Sequence, residues 1–321
     1  MSKLLTIAIP TYNRAAYLGL CLDQIFKQVK QYESQIEIII SDNASTDNTS
    51  DVVRSYKDNG FIFRYVCNEE NIGADRNFAQ CFTFASGKYV LVFGDDDVLL
   101  DGAIDKILMV IRSGEYGVVY LNSYGFSADY LFEAPRKEKN GTVIYSDQSG
   151  IIRKINYWIT FASGNIVNKS LIDNKFNPDE FVGTNLVQLN WVLSAMLAAK
   201  ENVVIEDYIV AYKLANTGGY QLCQVFAVNM NRIFDCFIAK GVDRKYFDIL
   251  NRKLVQTFFP NMVLIQRKQV VGFNFEAEDY FSVLKSVFSR YPAFWLFTVP
   301  VIKLPFRLAK MWAIIAAKLS I

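Results

Sequence analysis

The feature that most constrains this chain is a regular alternation of short apolar runs and amphipathic helices over roughly its first hundred residues. Each run is typical of a buried strand, and each helix carries apolar residues at a spacing of three or four. Because parallel strands need a crossover of this length, the pattern predicts a parallel sheet of right-handed βαβ units. The predicted strands are residues 4–9, 36–41, 61–67 and 88–93, and the helices between them end near Lys30, Lys57 and Ala85.

The pattern is less regular beyond this repeat. A helix and a strand are predicted within Ala103–Ser123, and everything after Gly219 is predicted to be helical. Between them we predict a charged loop at 133–140, strands at 141–145, 161–168 and 203–214, and an apolar helix at 186–199. The predicted organisation is therefore an α/β domain over residues 1–218, regular to residue 125, followed by a helical region over 219–321.

Composition excludes several kinds of site. The 321 residues include no histidine, which rules out Ser-His-Asp and Cys-His catalysis and His-ligated zinc. Five cysteines show no CxxC or other metal-ligand spacing, and with no secretory signal they are predicted to be reduced thiols of a cytoplasmic protein. A formal charge of +2 gives no support for nucleic acid as a partner.

The fourth predicted strand ends in a glycine and three consecutive carboxylates, Gly94-Asp95-Asp96-Asp97. Adjacent acids repel one another, and a fold tolerates them most easily where a cation binds. The carboxyl end of a strand is also where open α/β sheets place their ligands. The alternative for such a triplet is a solvated acidic turn before the next helix.

Three other polar loops are predicted at the same edge of the sheet: Pro10–Arg14, Asp42–Asp47 and Asn71–Asn77. Together with the triplet they have the groups needed to hold a nucleoside diphosphate. Tyr12 offers a ring for a base to stack on, and Asp42 offers an acceptor for a base N–H. Arg76 could offset the charge of the diphosphate or hold the base. The triplet could bind a ribose hydroxyl with one carboxylate and Mg²⁺ or Mn²⁺ with another.

In this order and spacing the four loops resemble family 2 glycosyltransferases of the GT-A fold. The matching segments are Ile9–Arg14, Ser41–Thr49, Asn71–Gly73 with Arg76-Asn77, and Gly94–Asp97. Within the family, the Gly-Asp-Asp-Asp form at 94–97 and the Asn-Ile-Gly-Ala-Asp-Arg-Asn segment at 71–77 are similar to bacterial abequosyltransferase-type enzymes, which build O-antigen and capsule repeats. The resemblance implies a Rossmann-like, mainly parallel sheet flanked by helices, with a nucleotide-sugar half over 1–125 and an acceptor half over 126–218. It also implies inverting transfer of a sugar from a nucleotide donor, assisted by a divalent metal.

The resemblance also assigns individual residues. The family often has Asp-x-Asp-Asp at the metal strand, and Gly94 stands where the first Asp would be, so the role of each later Asp is open. We favour Asp97 for metal, with Asp95 as a second candidate ligand, and Asp95 or Asp96 for ribose. The predicted donor-nucleotide residues are Pro10, Thr11, Tyr12, Asn13, Arg14, Asp42, Asn71, Gly73, Arg76, Asp95 and Asp96.

The catalytic base is the largest departure from the family. An inverting displacement needs a carboxylate to take the acceptor's proton, and the family places a Glu-Asp pair at the head of a helix. Thr184-Asn185 occupies the matching position here. The nearest carboxylates are Asp179 and Glu180, either of which could serve, although Glu180 could equally be a simple loop charge.

The C-terminal stretch 291–321 has a distinct composition. It contains no acid, and Lys303, Arg307, Lys310 and Lys318 fall within about 80° of one another on a helix. Its longest uncharged run, 291–302, is too short to span a bilayer. A basic stripe beside large apolar residues favours a helix on the surface of an anionic membrane, and the alternative is a terminal helix packed on the domain.

The leading hypothesis is therefore a glycosyltransferase that extends a lipid-linked glycan at the inner face of the cytoplasmic membrane, as a peripheral protein. Two alternatives remain. A nucleotidyltransferase has a similar sheet and Asp-held Mg²⁺, but it would be expected to have a Gly-rich basic loop where Pro10–Arg14 stands. A GT-A-like protein that binds nucleotide-sugar or glycan without transfer would account for the missing Glu-Asp pair.

Overall fold

The computed structural model describes residues 3–136, 140–173, 175–214, 217–269 and 273–319. Parts of the predicted loop 133–140 and of the segment 291–321 therefore lie outside the described residues. The described residues form two compact units, one within 1–151 and 158–213 and the other within 152–157 and 214–321. The predicted separation at residue 218 remains a prediction about domains.

The first unit alternates strands and helices from its first residues. Its helices are α1 Ala15–Val29, α2 Thr49–Asp58, α3 Ala74–Phe84, α4 Ala103–Ser113, α5 Gln148–Ile155, whose last residues fall in the second unit, and α6 Leu189–Ala198. Its strands are β1 Leu5–Thr11, β2 Ile36–Asp42, β3 Arg64–Cys67, β4 Tyr89–Val92, β5 Val98–Leu99, β6 Tyr116–Phe126, β7 Thr142–Tyr145, β8 Asn165–Asn168 and β9 Glu201–Lys213.

One mixed sheet contains these strands in the order β3-β2-β1-β4-β8-β6-β9-β5, with β7 also paired to β9. The parallel prediction is confirmed for the first four strands, which pair as β3-β2-β1-β4. The second half is mixed. β8 runs antiparallel to both β4 and β6, while β6 and β9 are parallel and β5 and β7 are antiparallel to β9. The α/β class with flanking helices is as predicted.

The sheet positions the predicted loops because its central strands share one register. Thr11 at the end of β1 lies level with Asp42 at the end of β2, and Asp42 lies level with Cys67 of β3. The polar residues that follow these strands therefore emerge at one edge.

The core explains why the first strands are legible in the sequence. Each residue of β1 is buried, and α1 buries the residues predicted from its spacing, among them Leu18, Leu22 and Ile25. Each such side chain contributes about 1.5–3 kcal/mol when fully buried. The predicted strand at 61–67 begins later, at Arg64, because Phe61 stacks on Phe26 with ring centroids 4.5 Å apart.

The second unit is mainly helical, as predicted. A π-helical turn at Gln224–Asn229 leads into α7 Met230–Ala239. Helix α8 Arg244–Lys253 continues through a π-helical turn, Leu254–Phe258, into α9 Phe259–Arg267, and α10 is Tyr280–Phe288. A short parallel pair, β10 Thr217–Gly218 and β11 Phe273–Asn274, is an addition that the periodicity does not predict. Within the core, Phe234 stacks on Phe247 at 4.6 Å.

The C-terminal stretch divides into two parts. From Tyr291 to Lys303, through a π-helical turn and α11 Val299–Lys303, it packs into the second unit: Phe294 is fully buried, and the Thr298 hydroxyl donates to the Val255 carbonyl. The following helix, α12 Phe306–Leu319, presents one face to solvent. No described helix combines the length and apolar character needed to cross a membrane.

The five cysteines carry no disulfide. Cys21, Cys81 and Cys223 are buried, Cys236 is half-buried and Cys67 is exposed. Three of the five thiols therefore belong to the protein core.

Candidate functional site

The acidic triplet is held by the first loop of the sheet. The Thr11 hydroxyl donates to Asp95 Oδ2 at 2.7 Å. The Arg14 guanidinium bridges two carboxylates, with Nη1 at 3.2 Å from Asp95 Oδ1 and 3.0 Å from Asp96 Oδ2. Thr11 and Arg14 were both predicted at the nucleotide site, and the structure brings them into direct contact with the triplet.

Asp97 has partners other than Thr11 and Arg14. Its Oδ1 accepts the backbone N–H of Lys213 at 3.2 Å, and it also bonds the Ser163 hydroxyl. Ser163 Oγ in turn accepts the Gly94 N–H at 2.8 Å. Ser163 and Lys213 lie on segments far along the chain, in regions where the sequence shows no motif, and sequence reasoning missed both.

The triplet carries more negative charge than its partners neutralise. Asp95 and Asp97 are only 4% and 6% exposed. Burial raises the pKa of Asp95 to about 6 against the opposing effect of Arg14. Burial, and next the charge of Asp96, raise the pKa of Asp97 to about 8. Buried carboxylates whose negative charge is not fully neutralised by neighbouring protein groups are typical of a cation-binding site.

The glycine of the motif has a steric reason. A Cβ on Gly94 would stand 3.0 Å from Asp97 Oδ2 and 3.1 Å from Asp96 Oδ1. Any side chain would therefore press against the carboxylates. Glycine at position 94, where the resemblance would place the first Asp of Asp-x-Asp-Asp, therefore keeps the space beside Asp96 and Asp97 open.

These residues fit a hard divalent ion, although they do not complete its coordination. Among the described residues, no group of three or more Cys, Asp and Glu side chains is arranged to bind a metal. The fit rests on oxygen donors with surplus charge and on the space that Gly94 leaves, and a bound diphosphate would supply further oxygens. The predicted ligands Asp97 and Asp95 are both in this cluster, and their metal role remains a prediction.

Asp42 is 1% exposed at the end of β2, and both its oxygens are engaged. Oδ1 accepts the Ser45 N–H at 2.9 Å, and the Tyr65 hydroxyl donates to Oδ2 at 2.6 Å. Burial and then this bond raise the pKa of Tyr65. Tyr65 was missed by sequence reasoning, and its one signal is a hydroxyl-bearing ring on the strand that pairs with β2.

Asn13 joins the first and second loops. Its backbone has a φ of 52°, a conformation that Asn adopts more easily than most residues. Its N–H donates to Ser45 Oγ at 2.9 Å, and its Oδ1 accepts the Thr46 N–H at 2.7 Å. Pro10 is the last residue but one of β1, which ends at Thr11, and Tyr12 is 41% exposed. Tyr12 is therefore accessible to a ligand.

The third loop is fixed by side-chain amides. Asn71 Oδ1 accepts both the Asn43 amide at 2.7 Å and the Gly73 N–H at 2.9 Å. Gly73 has a φ of 88°, which suits glycine, and α3 begins at the next residue. Arg76 is exposed in the first turn of α3. The structure thus places Asn71, Gly73 and Arg76 on one ordered turn.

The two candidate bases have a different setting. Asp179 and Glu180 are exposed, in the turn before buried Phe181. Thr184 is buried, donates to the Phe181 carbonyl at 2.6 Å and accepts the Leu186 N–H at 3.2 Å. The Thr184 hydroxyl is therefore used inside its own loop, and the assignment of Asp179 or Glu180 as base stays a prediction.

Comparison with known proteins agrees with this geometry. The sequence model of Glycosyl transferase family 2 matches residues 6–173. Abequosyltransferase RfbV of Salmonella typhimurium is 44% identical over 97 residues, 30% of this chain and 29% of the relative. GalNAc(5)-diNAcBac-PP-undecaprenol beta-1,3-glucosyltransferase of Campylobacter jejuni is 29% identical over 187 residues, 56% of each chain. The chain thus spans little more than half the length of these curated relatives, or less.

Solved structures share the fold. S. aureus TarS 1–349 superposes with a TM-score of 0.64 at 18% identity, covering 98% of this chain and 88% of that one. Crystal structures of the same TarS fragment contain UDP and UDP-GlcNAc, with TM-scores of 0.64 and 0.61. At this identity the likeness applies to the fold alone.

Proposed function

Because the chain belongs to glycosyl transferase family 2, we propose that it transfers a sugar from a nucleotide-sugar donor to a glycan acceptor with inversion at the anomeric carbon. The observation that carries the proposal is the buried Asp95–Asp97 cluster, bridged by Arg14 at the edge of the sheet. The names of the relatives support sugar transfer, and the UDP and UDP-GlcNAc complexes of TarS support a nucleotide-sugar donor.

The donor is proposed to lie across the four edge loops. Its base stacks on Tyr12 and donates an N–H to Asp42, which Tyr65 and the Ser45 N–H hold in one orientation. The ribose binds Asp95 or Asp96, and Arg14 and Arg76 offset the charge of the diphosphate. Asp97 and Asp95 would hold Mg²⁺ or Mn²⁺, which when bound supplies positive charge for the departing diphosphate.

Tyr12 provides a direct test of the nucleotide site. Tyr12→Ala is expected to weaken nucleoside diphosphate binding by about 1–3 kcal/mol, because an aromatic ring that stacks on a base contributes about that much. The measurement is calorimetric titration with UDP, GDP, CDP and dTDP in Mn²⁺. Phe132→Ala is the control, since Phe132 is an aromatic residue that is 92% exposed and lies outside the four edge loops. Equal affinity in Tyr12→Ala and the parent would show that Tyr12 has no stacking role.

The acceptor's proton is proposed to pass to Glu180 or Asp179. If Glu180 is the base, Glu180→Gln should lower turnover by about 10²–10⁴ with little change in donor affinity, because only the proton-accepting group is lost. Asp179→Asn is both the matched control and the test of the second candidate. Steady-state rates with donor and acceptor varied separately decide between them. Full activity in both variants would place the base elsewhere.

The acceptor is proposed to be lipid-linked, and the protein to act at an anionic membrane surface on the cytoplasmic side. The undecaprenol-linked acceptor in the name of the Campylobacter relative supports the first point. The exposed face of α12 supports the second. It carries a row of large apolar side chains beside a row of basic ones. The apolar row is Leu308, Met311 and Ile315, which are 51%, 59% and 49% exposed, and the basic row is Arg307, Lys310 and Lys318.

The face of α12 that packs against the second unit includes Trp312, which composition alone would assign to the membrane-facing side. Ala309 and Ala316 are buried, and the Trp312 indole donates to the Leu296 carbonyl at 2.9 Å. Trp312 therefore packs within the second unit and is not proposed to enter the lipid. The membrane-facing surface, defined as the apolar and basic rows of α12, is narrower than the stretch 291–321.

A further inference from the structure

Asp75, in the first turn of α3, contacts a loop more than a hundred residues further along the chain. Its Oδ2 accepts the backbone N–H of Gly183 at 2.8 Å and of Asn185 at 2.9 Å. Burial raises the pKa of Asp75, and the backbone N–H groups of Asn185, Gly183 and Thr184 oppose this effect by stabilising the ionised carboxylate. One carboxylate thus accepts hydrogen bonds from backbone N–H groups along the loop 183–185.

The loop has the backbone form that such binding needs. Gly183 has a φ of 87° and Asn185 a φ of 57°. Backbone of this kind turns neighbouring N–H groups toward one point and creates a small anion-binding concavity. A positive φ at a residue other than glycine costs energy unless its surroundings hold it. Asp75 supplies the anion that holds it here.

The two ends of this contact belong to different parts of the site. Asp75 lies between Gly73 and Arg76, on the predicted nucleotide side. The loop 183–185 follows the candidate bases Asp179 and Glu180 and precedes α6. Buried anchors hold the loop on both flanks, Phe181 on one and Leu186 on the other. The contact therefore fixes the acceptor-side loop to the helix that follows the donor loop.

We propose that Asp75 is a positioning residue: its carboxylate holds the loop 183–185 in the form that presents the acceptor to the donor. The role rests on the proposed function. It is separate from donor binding, because the carboxylate is directed at backbone amides of the acceptor side. Its loss should therefore impair transfer and leave the nucleotide affinity unchanged.

Three variants and a control test this. Asp75→Ala removes the anion, and Asp75→Asn keeps the shape and removes the charge. Gly183→Ala strains the loop that donates the N–H groups, because residue 183 has a positive φ. A Cβ at this position would meet no atom within 4 Å, so the strain is confined to the backbone. Asp51→Asn is the matched control, an exposed acid in the first turn of α2 that pairs with Arg54.

The first readout is hydrogen exchange of the peptide covering 181–188. Hydrogen exchange at 183–185 should be at least about 10-fold faster in Asp75→Ala and Gly183→Ala than in the parent. The increase should be smaller in Asp75→Asn, and Asp51→Asn should exchange at the parental rate. The second readout is affinity for UDP, GDP, CDP and dTDP with Mn²⁺, expected to stay within about twofold. The third is transfer to prenyl-pyrophosphate-linked glycans, expected to fall about 10–100-fold with the loss mainly in the acceptor KM.

Unchanged exchange in Asp75→Ala would overturn the proposal, and so would faster exchange with unaltered transfer, which would leave Asp75 a purely structural role. A parallel loss of nucleotide affinity would also overturn it, because Asp75 would then act on the donor. Failure of the parent protein to transfer sugar from any donor would instead overturn the proposed function, and this role with it. The parent measurement therefore separates the two failures.

Discussion

Replacing Asp97 by Asn is expected to reduce sugar transfer by about 10³-fold or more, because the buried carboxylate proposed to hold the divalent ion loses its charge. Donor binding in Mn²⁺ should weaken with it. The fold should remain intact, since an Asn carbonyl can still accept the Lys213 N–H. Transfer at parental rates in Asp97→Asn, or in excess EDTA, would contradict the metal assignment.

The same substitution should stabilise the metal-free protein. Burial and Asp96 hold the pKa of Asp97 at about 8 in the fold, against about 3.9 in an unfolded chain. A raised folded-state pKa means that the protonated form is the stable one. The stability from this group is complete below about pH 4 and is lost as pH rises toward 8. The advantage of Asp97→Asn in EDTA should therefore grow from pH 5 to pH 8.

Thermal denaturation in EDTA at several pH values measures this. Each kcal/mol gained should raise Tm by about 1.5 °C, because the unfolding entropy is about 2.1 cal/mol/K per residue and the chain has 321 residues. Asp101→Asn is the control, because Asp101 is exposed, lies four residues further on and pairs with Lys27. A lower Tm in Asp97→Asn at pH 8 than in the parent would show that the ionised carboxylate is not a cost to the fold.

Reversing the charges of α12 is expected to release the protein from anionic vesicles. Near an anionic leaflet each basic residue contributes about 1 kcal/mol, so Arg307→Glu, Lys310→Glu and Lys318→Glu together should weaken binding by about 100-fold or more. Replacing Leu308, Met311 and Ile315 by Ser tests the apolar row separately. These side chains are exposed, so neither set should disturb the packing of the second unit.

The measurement is co-sedimentation with vesicles containing anionic lipid, at low and high salt. The control reverses Lys30, Lys57 and Lys200, three exposed lysines of the first unit. Salt should weaken binding of the parent, because exposed charges are screened within about 8–10 Å. Equal binding by the α12 and control variants, or none by the parent at low salt, would remove the membrane proposal. Point substitutions are preferable to deleting 291–321, because Phe294 and Val301 are core residues.

The sequence predicts β1, β2 and β4 most clearly because nearly all of their residues are buried, on both faces of the sheet. A strand such as Leu5–Thr11 is then a continuous apolar run with a polar loop behind it. The antiparallel direction of β8 cannot be predicted from such a pattern. Its four residues, Asn165–Asn168, are buried like those of a parallel strand, and their direction depends on pairing with β4 and β6.

The candidate site divides along the same line. The Asp triplet, Thr11 and Arg14 are close in space because they follow adjacent parallel strands, which the alternation of elements predicts. Tyr65 and Asp75 act through partners that no local pattern reveals, Asp42 in one case and the amides of Gly183 and Asn185 in the other. On α12 the spacing predicts Arg307, Lys310 and Lys318 correctly, whereas the fourth predicted member of the stripe, Lys303, lies at the end of α11 and not on α12. Tertiary packing, which the spacing does not reveal, turns Trp312 toward the Leu296 carbonyl.

The most direct test is the product released from nucleotide-sugar donors by the full chain with Mn²⁺ and prenyl-pyrophosphate-linked glycans. The account predicts that a nucleoside diphosphate is released only when both acceptor and metal are present, and that Asp97→Asn abolishes this release. The glycan product should have the inverted anomeric configuration. Release of pyrophosphate from nucleoside triphosphates would indicate a nucleotidyltransferase. Tight binding of a nucleotide-sugar with no release, across a panel of UDP-, GDP-, CDP- and dTDP-sugars, would contradict catalysis and leave a protein that only binds its ligand.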